Sequence, residues 1–295
     1  LYQTKIFVLG LTLSLVLGLN LAFADSITQY QAISKFGYSK TTQKHGLAIR
    51  HFFKNNQPYF MVLWPHSIDF QSIPEQNWIP SNKKISILPL NWTIDGLKYG
   101  PSQQGYYLTL DLCPSKKPLD KAQLNRLIDY FPNPVPVGVA ITSDWIKHHK
   151  EDWEFLNQLN TQKKITISWI NHSHTHPYDS KKPLNQTFLL TPSLNVEEQW
   201  LALEKTLIEN NVTPTLLCRF PGLISNEALL KQVKALHLVP LNAQAWMAKG
   251  EVPTVNGIIL LHANGNEPEG WKRFWHWVEK QGTKNITLNS LELSQ

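Results

Sequence analysis

From Tyr106 onward, apolar runs of strand length alternate with amphipathic helical stretches, and this alternation restricts the fold more than any other feature of the chain. Candidate strands cover 107–111, 136–142, 164–170, 215–219, 236–241, 257–262 and 285–288. Helical stretches cover 119–131, 144–159, 196–209, 226–235 and 271–280. The first carries Leu124, Leu127, Ile128 and Phe131 on one face. Strand–helix alternation implies a largely parallel sheet, and about seven such units fit a closed or nearly closed barrel. In such barrels the site lies at the carboxyl ends of the strands. Four candidate strands run into reactive side chains there: Asp111, Asn171-His172, Arg219 and His262.

Residues 25–104 have a different texture. The run 47–53, the pair Asn55-Asn56 and the run 59–64 read as a hairpin with a polar turn. Another short strand is expected at 85–88, and Gly100 to Gly105 reads as a loop. Residues 105–295 then form the barrel domain. Ahead of both, residues 1–24 read as an export signal: Lys5, an apolar run from Ile6 to Leu21, then Ala22-Phe23-Ala24. The run is short for a bilayer span, and no second long one follows. The expected mature protein is therefore soluble, without a stable membrane span, and periplasmic or secreted in a bacterial envelope. Sequons such as Asn91-Trp92-Thr93 and Asn171-His172-Ser173 are read as chance, because a glycan at Asn171 would block the histidine cluster. The net charge is +6, but the lysines are scattered, which argues against a nucleic-acid partner.

The densest motif is Asn171-His172-Ser173-His174-Thr175-His176-Pro177. Histidines at i and i+4 can share one metal ion, and imidazole is also the usual acid–base group. Asp111 closes an apolar strand, and Arg219 follows another in Cys218-Arg219-Phe220-Pro221. A buried Arg requires an anionic partner, and Asp111 is the candidate. His262 stands between the run Ile258-Ile259-Leu260-Leu261 and the loop Ala263-Asn264-Gly265-Asn266, the setting of a general acid or base. Most of the eleven tryptophans are core residues by default, and Trp246 could wall a sugar pocket.

In this order the motifs resemble the NodB-type polysaccharide deacetylases, carbohydrate esterase family 4, over about residues 106–280. His172-Ser173-His174-Thr175-His176-Pro177 fits the family's metal-binding motif at every position. The stretch 109–115 is similar to the first motif, with Asp111 at the catalytic base. Arg219-Phe220-Pro221 resembles the motif whose Arg orients that base. Trp246 and Leu260-Leu261-His262 resemble the last two motifs. The resemblance implies an α/β fold, a distorted (β/α)7 barrel, here preceded by a small β-rich region. It implies an exported hydrolase that removes acetyl or other acyl groups from an acetylated glycan or cell-envelope polysaccharide. His172 and His176 would bind a divalent metal, zinc by expectation. Asp111, Arg219 and His262 would be catalytic. Trp246, Gly222, His174 and Asn264 are assigned to substrate binding.

Three positions depart from the family pattern. Leu112 replaces a metal-binding Asp, Gly222 replaces a Tyr whose backbone N–H holds the oxyanion, and the acidic residue expected near Trp246 is replaced by Ala243 or Ala245. In an extended strand end Asp111 and Cys113 share one side and Leu112 takes the other. Cys113 or solvent could thus fill the vacated metal position, and a thiolate would favour zinc over harder ions. The competing fate is a Cys113–Cys218 disulfide, which export favours and which excludes the thiolate ligand. The rival functions are a catalytically weak or inactive carbohydrate-binding protein on the same fold, supported by Leu112, and a metal carrier using the histidine trio.

Overall fold

The computed structural model describes residues 26–86, 96–101, 104–282 and 285–291. Residues 1–24, expected to be an export signal, the sequon at Asn91 and half of the strand expected at 85–88 lie outside them. Ile85 and Ser86 have no regular structure. No helix among the described residues is long and apolar enough to cross a membrane.

Five antiparallel strands come first: β1 (Ile27–Ser39), β2 (Lys44–Lys54), β3 (Gln57–Leu63), β4 (Phe70–Pro74) and β5 (Trp78–Pro80). Their order is β4-β3-β2-β1-β5. The β2–β3 hairpin turns at Asn55 and Asn56, with φ of 49° and 64°. Positive φ at both central residues matches the twist of the flanking strands, and Asn tolerates it. β1, β4 and β5 lack a clean apolar alternation; β1 buries only its two ends and pairs through two bulges.

The second sheet is parallel. Its strands are β6 (Tyr107–Leu112), β7 (Val135–Ile141), β8 (Ile165–Asn171), β9 (Leu217–Cys218), β10 (Val239–Pro240), β11 (Ala245–Trp246) and β12 (Ile258–His262). The order β10-β9-β8-β7-β6-β12-β11 curls into an incomplete barrel. β7 and β12 are nearly unbroken apolar runs because both sheet faces are covered. Helices α1 (Lys121–Tyr130), α2 (Ser143–His148), α3 (Lys150–Thr161), α4 (Val196–Glu209) and α5 (Glu227–Ala235) lie between the strands, and α6 (Pro268–Gln281) follows the last of them. Asp120, Thr142, Asn195 and Asn226 each cap a helix by accepting a backbone N–H.

Two expectations need correction. The helix expected at 144–159 breaks at His149, which has φ −127° and whose ring bonds the Ser115 carbonyl at 2.6 Å. The strand expected at 285–288 reduces to one bridge between Leu288 and Tyr106, and Ala245–Trp246 is the seventh parallel strand instead. Residues 285–288 pass the amino end of β6 after Gly282, whose φ of 76° ends α6.

The antiparallel sheet packs onto the parallel one. Ile49, Phe52, Met61 and Leu63 share a core with Trp200, Leu217 and Val239. Arg50 is fully buried at that junction, with Nε and Nη2 bonding the two carboxylate oxygens of Glu204 at 2.7 and 2.8 Å. A further link runs through Leu97, which bonds Pro240 and Asn242, while the next residue's carbonyl accepts from Ile258.

Register places the site. His262 is level with Asp111, Asp111 with Ala140, Ile141 with Asn171, and Asn171 with Cys218. The reactive side chains therefore meet at the carboxyl edge.

Candidate metal centre and its flanking pairs

β6 alternates between two surroundings. Leu108, Leu110 and Leu112 are buried in the apolar layer with Leu124 and Trp145. Thr109 and Asp111 face the other way. The family's aspartate position thus points into hydrocarbon, and Cys113, one residue on, turns towards the histidines.

Cys113 Sγ lies 3.5 Å from His172 Nε2. The ligand atoms of Cys113, His172 and His176 all fall within 4.8 Å of one another. His172 is buried, and its Nδ1–H donates to the Arg219 carbonyl at 2.9 Å. That bond fixes the tautomer and turns Nε2 towards the centre. His176 has φ 47°, and its backbone N–H donates to Ser173 Oγ. Its Nε2 is buried without a hydrogen-bond partner among the described residues. Burial alone would raise the Cys113 thiol, but His176 and His172 hold it well below its ordinary range. Conversely, Cys113 and Asp111 raise His172 against the effect of burial. A thiolate and two imidazoles, one of them with an unpartnered buried ring nitrogen, fit a zinc ion, which takes three protein ligands and one open position at catalytic sites.

Both cysteines are free. The expected Cys113–Cys218 bridge is absent: Cys113 turns to the histidines, whereas Cys218 packs in the core with Ile170, Leu216 and Val239. Burial pushes its thiol upward.

Asp111 flanks the centre. Its Oδ1 accepts from Arg219 Nη1 at 2.6 Å, and its Oδ2 lies 3.8 Å from His172 Nε2. Burial opposes ionisation, but Arg219, His172 and His262 hold the carboxyl below its usual value. Arg219 is fully buried and also donates to Thr109 Oγ1. The pairing read from sequence is therefore present.

His262 lines the same cavity as Asp111 from the neighbouring strand, with Nδ1 2.8 Å from Glu267 Oε2. Against burial, Cys113 and Glu267 push its pKa up to about 10. Glu267 is the acid that the sequence lacks beside Trp246. It arrives from the N-cap of α6 and also accepts from Trp246 Nε1 at 2.7 Å. The signal was present, since an acid before a helix-starting Pro fits an N-terminus, but nothing local linked it to His262.

Gly222 has φ 63°, and an added Cβ would lie 2.6 Å from Phe188 Cε2. The Phe188 ring occupies the space beside this backbone. Gly222 lines a cavity of about 510 Å³ together with Asp111, Cys113, His172, His176 and Trp246. The other two residues assigned to substrate lie elsewhere. His174 lines a separate depression with Ser143 and Lys147. Asn264 is buried and donates to the Cys113 carbonyl at 2.8 Å, steadying the ligand loop. Asn266 lines the cavity instead.

A structure of a family 4 carbohydrate esterase from Bacillus anthracis superposes with TM-score 0.50 at 18% identity, covering 67% of this chain and 86% of that one. The fold is that of the family 4 carbohydrate esterases. A Streptococcus mutans esterase of the family gives TM-score 0.45 at 18% identity over 64% and 86% of the two chains. A Bacillus anthracis pseudoenzyme of the family gives 0.43 at 12% over 65% of each. Residues 28–99 match a sequence family described as the RP012 protein N-terminal domain.

Proposed function

We propose that this chain hydrolyses acyl groups on a carbohydrate at a zinc centre held by Cys113, His172 and His176. One observation carries the reading: the ligand triad shares a cavity with Asp111, paired to Arg219, and with His262, paired to Glu267. Bound zinc would supply Lewis-acid polarisation of the acyl oxygen and of water. Asp111, kept ionised by Arg219, takes the proton from water. His262, kept protonated by Glu267, delivers a proton to the departing nitrogen or oxygen. The Gly222 N–H is the candidate oxyanion donor, of a kind worth roughly 3 kcal/mol. Either N- or O-acyl groups suit this arrangement, and an exported chain would meet them on envelope polysaccharide.

A second reading is a carbohydrate-binding protein with little or no turnover. Two observations favour it. Leu112 removes the family's carboxylate ligand. Cys113 and Glu267 both hold the proton on His262, which makes it a reluctant acid at neutral pH. Acetate release from a panel of acetylated glycans, with and without chelator, separates the readings. Release that a chelator abolishes supports the first. Glycan binding without release supports the second.

A further inference from the structure

The aromatic rings around the cavity are not equivalent. Trp246 carries the Lys249 ammonium 3.6 Å from its ring and approaches His262 on the ring's other contact, at 6.1 Å between centroids. Phe188 is 8% exposed, meets His176 edge-on at 5.4 Å, and fills the space beside Gly222. Tyr178 is different. It is 61% exposed although it lines the same cavity as the zinc ligands. Its ring stacks on Phe188 at 5.0 Å with an interplanar angle of 20°. One face is thereby pinned and the other is turned outward.

We propose that Tyr178 is the platform on which a sugar ring of the substrate lies, next to the sugar whose acyl group reaches the metal centre. This inference rests on the carbohydrate reading above. A pyranose ring with equatorial hydroxyls offers an apolar face of C–H bonds and a polar rim. An exposed aromatic face backed by a second ring matches the first, and Asn266 on the cavity wall is available to the second. Because Phe188 packs against both His176 and Tyr178, it sets the platform's position relative to the ligands. The placement fits an oligosaccharide better than a free monosaccharide, because Tyr178 is largely exposed while His172, on the same cavity, is buried.

The test is calorimetric titration of the zinc-loaded protein with partly acetylated β-1,4-linked gluco-oligosaccharides, and with the acetylated monosaccharide. Tyr178→Ala should weaken oligosaccharide binding about tenfold. Tyr178→Phe, which keeps the ring, should stay within about twofold. Both variants should keep their zinc, which shows that the centre is intact. If wild type binds the oligosaccharide and Tyr178→Ala binds it equally well, the platform is refuted while the carbohydrate reading survives. If wild type binds no sugar of either length, the carbohydrate reading itself falls, and the platform with it.

Discussion

Two charge clusters lie buried in this protein, and they are finished differently. At the junction of the two sheets, Arg50 gives Nε and Nη2 to Glu204 and Nη1 to the carbonyls of Ile49 and Leu236. Tyr30 adds its hydroxyl to Glu204 Oε2 at 2.8 Å. Burial and Glu204 together push that phenol far up. Every hydrogen-bonding group of the guanidinium and carboxylate there has a protein partner. At the carboxyl edge, Arg219 Nε and His176 Nε2 are buried with none among the described residues, and Asp111 Oδ2 comes no nearer than 3.8 Å to His172. Buried polar groups are normally satisfied within the fold. The open cluster borders a cavity that a ligand can enter, whereas the closed one ties the two sheets together.

Breaking the open cluster should cost chemistry. Asp111→Asn keeps an acceptor for Arg219 but cannot take a proton. Acetate release should fall roughly 10²- to 10⁴-fold, and His262→Ala should fall comparably. Turnover near wild type in either variant would remove that residue from the mechanism.

Breaking the closed cluster should cost stability. Glu204→Ala strands the Arg50 charge, and urea unfolding should show a loss of about 3–5 kcal/mol. Replacing both partners, Arg50→Met with Glu204→Leu, should recover most of it. A double variant as unstable as the single one would mean that the pair does more than pack.

Cys113→Ala should cut zinc affinity by more than the roughly 10- to 100-fold typical of losing an outer partner. Cobalt-loaded wild type should show a thiolate-to-metal charge-transfer band that this variant lacks. An identical spectrum in both would exclude Cys113 from the ligand set. The smallest expected effect is at Glu267. Glu267→Gln removes a charge that raises the His262 pKa, so the imidazolium deprotonates at lower pH. The alkaline limb of the pH–rate profile should then move down. An unmoved limb would show that Glu267 acts only through Trp246.

Much of the open cluster was legible in the sequence because its elements are simple. Apolar runs ending at Asp111, His172, Arg219 and His262 required only that parallel strands stay in register. The alternation of side chains also foretold that Leu112 and Cys113 would face opposite ways. What could not be read came from elsewhere in the chain. Glu267 reaches His262 from a helix cap, and Phe188 replaces a ring at Gly222 from a loop more than thirty residues earlier. Neither contact has a local pattern. β1 escaped notice because its middle is mostly exposed. The closed cluster escaped because Arg50 and Glu204 are 154 residues apart and each reads alone as a surface residue.

The stretch around Leu97 has a consequence for how the molecule is made. It is bonded to Pro240 and Asn242, and its neighbour to Ile258, so its partners are synthesised long after it. Loop closure over such separations is slow, and it must precede the contacts that reward it. Leu97 can therefore settle only once most of the parallel sheet exists, which makes this seam a late event in folding. Until then the edge of β10 at Pro240 stays open to strands of other chains, the stage at which such a fold is most exposed to aggregation.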